Sequence, residues 1–348
     1  MFNEGSLVMK KRIISAATIG AGSIAQHCHM PGYARSPHAE LTAFADPDPA
    51  RHREIKKLFP AARGYKTHEE MFANEKLDVV SICTPNKFHA EGVFAALDAG
   101  CHVLCEKPMA TTLDDARKMD AAAKKARKLL MIGFTHRTFA GNKQCKEILT
   151  KRGLGKPFMV RLRFAHGGPF PGWAKNDWFY NKDLAAGGAL LDMGIHAIDL
   201  ALWLMGPIRA VTAKTAAIVK RIEVDDNALM LLEFASGALG YIEVGWTSKP
   251  GFTGFEVYGT KGSLICDYNK GLQLCGGKAS AGEDSVSEWK VLDKNPAVGG
   301  WPAEMVEWLE ILRGKRRLTM TGQDGINALA VALAAYKSSK TGRRVEVG

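Results

Sequence analysis

The sequence predicts an α/β chain: a doubly wound parallel sheet in the N-terminal part, followed by an α+β part built on a large, mostly antiparallel open sheet. Three observations lead there. Up to about residue 133 short β-rich runs alternate with amphipathic stretches. A glycine-rich turn stands between the first strand and the first helix. Beyond residue 155 the rhythm changes to strand, turn, strand.

In the first part, strands are expected at Ile13–Ile19, Leu41–Ala45, Val79–Cys83, His102–Cys105 and Leu129–Gly133. Helices are expected near 23–35, 49–59, 68–74, 88–99 and 112–128. Strands separated by helix-length crossovers must pair in parallel, with right-handed connections. Lys10, Lys11 and Arg12 ahead of an apolar run imitate a signal peptide. The run stops at Gly20, and cleavage near Ala25 would remove the glycine-rich turn, so Ile13–Ile19 reads as a buried strand and the first eight residues as an extension. In the second part, strands are expected at Phe158–Phe164, Ala210–Val219, Ala228–Phe234, Leu239–Trp246, Phe252–Tyr258 and Ser263–Asp267. Helices are expected near 195–205, 301–313 and 324–340. The division is therefore 1–133 and 134–348, with the final helix free to pack back on the first domain. A length of 348 residues suits two domains.

Composition excludes several classes. With 46% hydrophobic and 24% charged residues the chain is neither disordered nor fibrous. The longest unbroken apolar run, Ala328–Tyr336, has nine residues, too few to span a bilayer, so no membrane partner is expected. The net charge of +11 concentrates at Arg51–Lys57, Arg117–Lys128 and Arg313–Arg317. The first two lie on amphipathic stretches, where a solvated face is the ordinary reading, and no nucleic-acid motif accompanies them. The seven scattered cysteines form no C-x-x-C pair and read as reduced core thiols of a cytoplasmic protein. No metal site is expected.

Gly20-Ala21-Gly22-Ser23-Ile24-Ala25 reads G-x-G-x-x-A. The first glycine permits the turn, the second lets the backbone approach a pyrophosphate, and the small third residue lets helix and strand pack closely. Asp46 ends the second strand, 24 residues past Gly22. A carboxylate there accepts ribose hydroxyls and repels a 2′-phosphate, which favours NAD over NADP. Its other reading is a strand-end Asp starting the turn at Pro47, and Arg51 lies close by. Lys107 follows the strand His102–Cys105, at the sheet edge where ligands bind in open α/β folds. Asp192 and His196 are four residues apart and share a helical face. Taken singly, these read equally as a solvated lysine, a capping aspartate and a packed histidine.

The set Cys83–Ala90 (C-T-P-N-K-F-H-A), Cys105–Pro108 (C-E-K-P) and Gly187–Leu200 (G-G-A-L-L-D-M-G-I-H-A-I-D-L), in that order, resembles the Gfo/Idh/MocA family over about Lys11 to Arg343. The resemblance implies a Rossmann domain, an NAD cofactor and hydride transfer to or from a secondary alcohol of a sugar, inositol or sugar derivative. It carries over Lys107, Asp192 and His196 as the catalytic set. It places Gly20, Gly22, Ser23, Ile24, Asp46, Thr84, Pro85, Asn86, His89, Glu106 and Lys107 around the cofactor, and a cis bond at Pro108. Asn86 reads equally as a helix N-cap. Arg137, Trp173 and Trp178, with Lys107, Asp192 and His196, are expected on the substrate side, as are His136 and His166. Thr135-His136 departs from the family pattern. The resemblance also implies a homodimer or homotetramer through the C-terminal sheet. Two other activities fit the same residues: a nucleotide-sugar 3-dehydrogenase, or an NAD-dependent glycosidase working by transient oxidation. A non-catalytic NAD-sensing regulator on the same fold is the reading from another class.

Overall fold

The computed structural model describes residues 13–172, 174, 176–276 and 288–348. Trp173 lies outside the described residues. Contacts divide the chain into two units. The first holds the described residues up to Phe134 with Asp183–Ala185 and Trp301–Ile326. The second holds Thr135–Lys182, Ala186–Gly300 and Asn327–Gly348. Residues 183–185 and 301–326 thus belong with the first unit although they fall within 134–348.

In the first unit, β1 (Ile14–Ile19), β2 (Ala39–Ala45), β3 (Arg63–Tyr65), β4 (Val79–Ile82), β5 (His102–Cys105) and β6 (Leu130–Ile132) form one parallel sheet in the order 3-2-1-4-5-6. That is the Rossmann order, and its direction reverses between β1 and β4, the place where such folds bind ligands in a crevice at the carboxyl ends of the strands. β1, β4 and β5 are almost wholly buried, as strands covered on both faces must be. β3 escaped prediction because Arg63-Gly64-Tyr65 has no apolar run. Gly64 is required there, since a Cβ would lie 2.6 Å from the Phe44 ring.

The first helix is irregular. A π-type turn, Ala25–His29, leads into Met30–Ala34. Pro31 has no N–H to return to the carbonyl four residues back, so a regular α-helical ladder cannot pass through it. The basic stretch Arg51–Lys57 lies on the helix Pro49–Leu58, and Arg117–Lys128 on the helix Leu113–Ala126 and the two residues after it, with most of their cationic side chains on the solvent side.

In the second unit the strands are β7 (Pro157–Ala165), β8 (Ile208–Ala216), β9 (Asn227–Phe234), β10 (Leu239–Gly245), β11 (Phe252–Gly259), β12 (Gly262–Asp267), β13 (Gly271–Gly276), β14 (Lys290–Asp293) and β15 (Val345–Glu346). They pair in the order 14-13-12-11-7-10-9-8-15, and every pairing except β7 with β10 is antiparallel. Burial alternates along them. Val160, Leu162 and Phe164 face the core while Arg161 and Arg163 are exposed.

β8 was expected to reach Val219 but stops at Ala216. The N–H groups of Ile218, Val219 and Lys220 turn onto the Asp226 carboxylate at 2.7, 2.8 and 2.7 Å and leave the ladder. Burial opposes the charge on Asp226, but these bonds win and hold its carboxyl below the usual range. The helix Ala140–Thr150 was also missed, since it buries Asn142 and Cys145 rather than an apolar stripe.

The stretch Lys182–Met205 is apolar enough to cross a bilayer, with a best-window mean hydropathy of 1.4, yet 78% of that window is buried inside the protein. Asp192, His196 and Asp199 interrupt its apolar run, so the nine-residue limit overlooked it. It is a core segment carrying polar residues.

None of the seven cysteines is in a disulfide, and five of them are buried. Burial pushes the Cys101 thiol up to about 12 and the Cys83 and Cys105 thiols well above their ordinary value, which makes them poor nucleophiles.

Candidate active site

Within the first unit, the expected cofactor residues gather at the β1–β4 reversal. Gly20 has φ +87°, and a Cβ on it would stand 2.7 Å from the Cys83 carbonyl and 2.8 Å from the Thr84 nitrogen. The chain itself therefore demands this glycine. Gly22 differs: a Cβ there would meet nothing within 4 Å. Its smallness serves no protein contact, as expected where a pyrophosphate is to approach the backbone. Ser23 and Ile24 open the helix behind it. Nearby, Thr84 Oγ1 is buried with no hydrogen-bond partner, an atom that a ligand at this crevice would satisfy. Both observations fit a dinucleotide.

Asp46 fulfils its turn reading and does more. Oδ1 accepts the Asp48 N–H at 2.9 Å and Oδ2 accepts the Ala21 N–H at 2.8 Å, which ties β2 to the glycine loop. A carboxylate has about four lone-pair sites, so capacity for hydroxyls remains. Arg51 is engaged with Glu54 at 2.8 Å.

Asn86 caps no helix. Its amide donates to the Ala185 carbonyl at 2.8 Å, while Pro85 precedes the short turn Asn86–Phe88. His89 is buried, with Nδ1 2.8 Å from the Pro108 carbonyl and Nε2 3.0 Å from that of Thr84. Burial pushes it toward the neutral form against the pull of the two carbonyls. A neutral ring donates to one carbonyl only, and with its hydrogen on Nδ1 it ties the start of the helix after β4 to the turn after β5. Lys107 is half-buried, and the Lys107–Pro108 bond is cis. Its N–H donates to Glu106 Oε2 at 3.2 Å, and Glu106 Oε1 lies 2.9 Å from His29 Nε2. Burial works against the Glu106 charge, but the His29 bond, aided by Lys107 and His89, holds the carboxyl below its ordinary value.

Within the second unit, Asp192 and His196 stand where a π-type turn, Leu190–Gly194, runs into the helix Ile195–Met205. The wider turn replaces the regular helix expected between them, and such turns recur at functional sites. Asp192 Oδ2 accepts the Trp246 indole N–H at 3.2 Å. The His196 ring packs on that of His136, with centroids 4.4 Å apart. His136 is fixed in turn, since its Nδ1 lies 2.9 Å from Tyr268 OH, which accepts from Asn142 Nδ2 at 2.6 Å. That bond leaves the Tyr268 hydrogen available to His136 Nδ1 in the tautomer that carries its hydrogen on Nε2. Burial drives the Tyr268 phenol well above its ordinary value, so this hydrogen stays in place.

The same segment is anchored upstream. The N–H groups of Gly188 and Leu190 donate to the Asp225 carboxylate at 2.9 and 2.8 Å, and Tyr336 OH donates to it at 2.7 Å. A Cβ on Gly188 would fall 1.9 Å from the Asp225 carbonyl oxygen, so the G-G of the motif is a close-approach device.

Arg137, expected on the substrate side, is 5% exposed and holds Asp199 through two donors, Nε at 2.9 Å and Nη2. Its geometry is that of a buried ion pair steadying the helix of His196. Trp178 stacks on Phe179, centroids 3.9 Å apart, and His166 Nδ1 accepts the Gly168 N–H at 2.8 Å. Trp246, Asp225, Tyr336 and Tyr268 complete the surroundings of Asp192 and His196. No motif pointed to them, because each meets its partner across a long stretch of chain.

Comparison with known proteins gives the same two parts. Residues 14–134 match the family described as "Oxidoreductase family, NAD-binding Rossmann fold", and residues 142–265 match the "GFO/IDH/MocA C-terminal domain". D-glucoside 3-dehydrogenase of Escherichia coli is 29% identical over 96% of this chain and 97% of that protein. Myo-inositol 2-dehydrogenase of Thermotoga maritima is 29% identical over 89% and 91%. Among solved structures, the WlbA dehydrogenase of Chromobacterium violaceum, in complex with NADH and UDP-GlcNAcA, superposes with a TM-score of 0.85 at 27% identity over 98% of both chains. With a Rossmann sheet matched from β1 to β6 and a C-terminal domain matched across the Asp192–His196 segment, the chain belongs to the Gfo/Idh/MocA family of oxidoreductases.

Proposed function

We propose that the chain is an NAD-dependent dehydrogenase, or a reductase in the reverse direction, acting on a secondary alcohol of a sugar, inositol or sugar derivative. The observation that carries this reading is the presence of Lys107, Asp192 and His196 together in a chain whose full-length relatives are named as glucoside and inositol dehydrogenases. Gly20, Gly22, Ser23, Ile24, Asp46, Thr84, Pro85, Asn86, His89, Glu106 and Lys107 would hold the dinucleotide, with Glu106 and Lys107 in the turn at the end of β5 and His89 at the start of the helix after β4. When bound, NAD supplies the hydride acceptor at nicotinamide C4.

The protein's own groups do the rest. His196 takes the substrate hydroxyl proton, for which an imidazole is suited near neutral pH. The Lys107 ammonium stabilises the negative charge that develops on the same oxygen. Asp192, kept in place by Trp246, orients the substrate or His196. Stacking on a sugar face falls to Trp178 or Trp173.

An absorbance screen for NADH formation over glycosides, inositols, uronic acids and nucleotide sugars tests this. Reduction of NAD by a member of one class is the expected result, and silence in both directions across all of them would overturn it. For cofactor choice, NADH should quench intrinsic fluorescence at lower concentration than NADPH. Tighter NADPH binding would refute the role given to Asp46.

The WlbA likeness favours a second reading, a nucleotide-sugar 3-dehydrogenase, which predicts that only nucleotide sugars respond. We also propose a cytoplasmic homo-oligomer joined through the exposed sheet face that carries Leu229 and Leu231, 59% and 63% exposed. A monomeric mass in sedimentation would exclude that assembly.

A further inference from the structure

Glu106 ends a longer line of buried hydrogen bonds inside the first unit. Trp308 Nε1 donates to Tyr33 OH at 3.3 Å. Tyr33 OH lies 2.8 Å from Ser81 Oγ, Ser81 Oγ 3.0 Å from His29 Nδ1, and His29 Nε2 2.9 Å from Glu106 Oε1. Trp308, Tyr33, Ser81 and His29 are 0% exposed and Glu106 is 7% exposed.

The direction of this line follows from donor chemistry. An indole N–H can only donate, so the Tyr33 oxygen accepts there, and its one hydrogen goes to Ser81. Ser81 then donates to His29 Nδ1, which leaves the ring hydrogen on Nε2, aimed at the carboxylate. Run the other way, the line would strand the Tyr33 hydrogen in the interior without an acceptor. Every donor thus points toward Glu106. Its other oxygen accepts the Lys107 main-chain N–H at 3.2 Å, and Gly133 makes room for the group, since a Cβ there would lie 3.2 Å from Oε2.

We propose that Trp308, Tyr33, Ser81 and His29 are positioning residues for the reaction. They hold the Glu106 carboxylate in one orientation as an acceptor, and Glu106 holds the main chain of Lys107. This rests on the reading of Lys107 as the catalytic cation. A buried carboxylate is tolerated only where donors compensate its lost hydration, and a fully satisfied line admits one arrangement.

The groups facing Glu106 are His29 from the first helix, His89 from the helix His89–Asp98, Lys107 on its own strand end, and the thiols Cys28, Cys83 and Cys105. Without the His29 donor, burial is opposed less and the carboxyl titrates higher. Since the ionised form is the working one, activity would then be lost as pH falls through that raised value.

The test uses the full chain with NAD and the alcohol giving the strongest signal in the screen above. Tyr33→Phe and Trp308→Phe should each lower kcat about tenfold, with NADH affinity unchanged and the loss exceeding any loss of folded protein. His29→Leu should move the acidic limb of kcat/KM upward by about one pH unit, and adding Glu106→Gln should abolish that shift. Independently of turnover, 15N NMR should show His29 with its hydrogen on Nε2, and Tyr33→Phe should disturb that tautomer. Wild-type kcat in both aromatic variants, an unmoved acidic limb, or a hydrogen on Nδ1 would each overturn the proposal. If Lys107→Ala abolishes turnover while the aromatic variants are silent, only the positioning role fails. If Lys107→Ala itself turns over normally, the catalytic reading fails and takes the positioning role with it.

Discussion

Lys107→Ala should cost at least about two orders of magnitude in turnover while NADH binding survives. Removing one group that stabilises the developing oxyanion in other enzymes costs about 10²–10³ in kcat, or roughly 3–4 kcal/mol. The ammonium has no substitute on its own turn, where the neighbours are the cis Pro108 and the carboxylate of Glu106, which bears the wrong sign. Cofactor binding should persist because the glycine loop and Asp46 form their contacts without the Lys107 side chain. His196→Ala should show the same pattern, since a positioned general base contributes about 10²–10⁴. Steady-state NADH absorbance gives turnover, and quenching of intrinsic fluorescence gives cofactor affinity. Near-normal rates in both variants would remove the catalytic assignment. Lys107→Arg keeps the charge but not the compact ammonium, so partial recovery would show that charge is the main requirement.

The two residues behind that prediction were legible in the sequence for different reasons. Lys107 follows a strand whose place in a parallel sheet is readable from strand–helix alternation, and a parallel sheet binds ligands at its carboxyl edge. Asp192 and His196 stood out by their four-residue spacing on a helical face and by the D-x-x-x-H motif, but their setting did not. The Trp246 indole that holds Asp192 is 54 residues away, and the Asp225 carboxylate that receives Gly188 is 37 away. Local periodicity carries no information about such pairings. Arg137 is a further case: the fold supplies it with Asp199, 62 residues on. Four strands escaped prediction, β3, β13, β14 and β15: β3 and β15 have three and two residues, β14 is mostly exposed, and β13 buries only its first two residues. Most of the basic side chains on the helices Pro49–Leu58 and Leu113–Ala126 lie on solvated faces, as their amphipathic spacing led one to expect.

Gly22→Trp should abolish NADH quenching, an affinity loss of at least about a hundredfold, while the thermal midpoint stays close to that of the unaltered chain. The two glycines of the fingerprint look alike in sequence and are opposites in structure. At Gly20 a Cβ would collide with the main chain of Cys83 and Thr84, and φ is +87°. Gly20→Ala should therefore cost about 3 kcal/mol through left-handed strain and overpacking, and lose fold and cofactor binding together. At Gly22 a Cβ meets nothing within 4 Å, so a side chain leaves the backbone without a clash there, and a large one should compete with a ligand rather than with the fold. A Gly22→Trp chain that binds NADH normally would show that the open space is not where the pyrophosphate approaches, and the cofactor site would have to be sought elsewhere. The same variant separates enzyme from sensor. A cellular effect that survives Lys107→Ala but disappears with Gly22→Trp depends on bound dinucleotide and not on its chemistry. An effect lost with both requires hydride transfer.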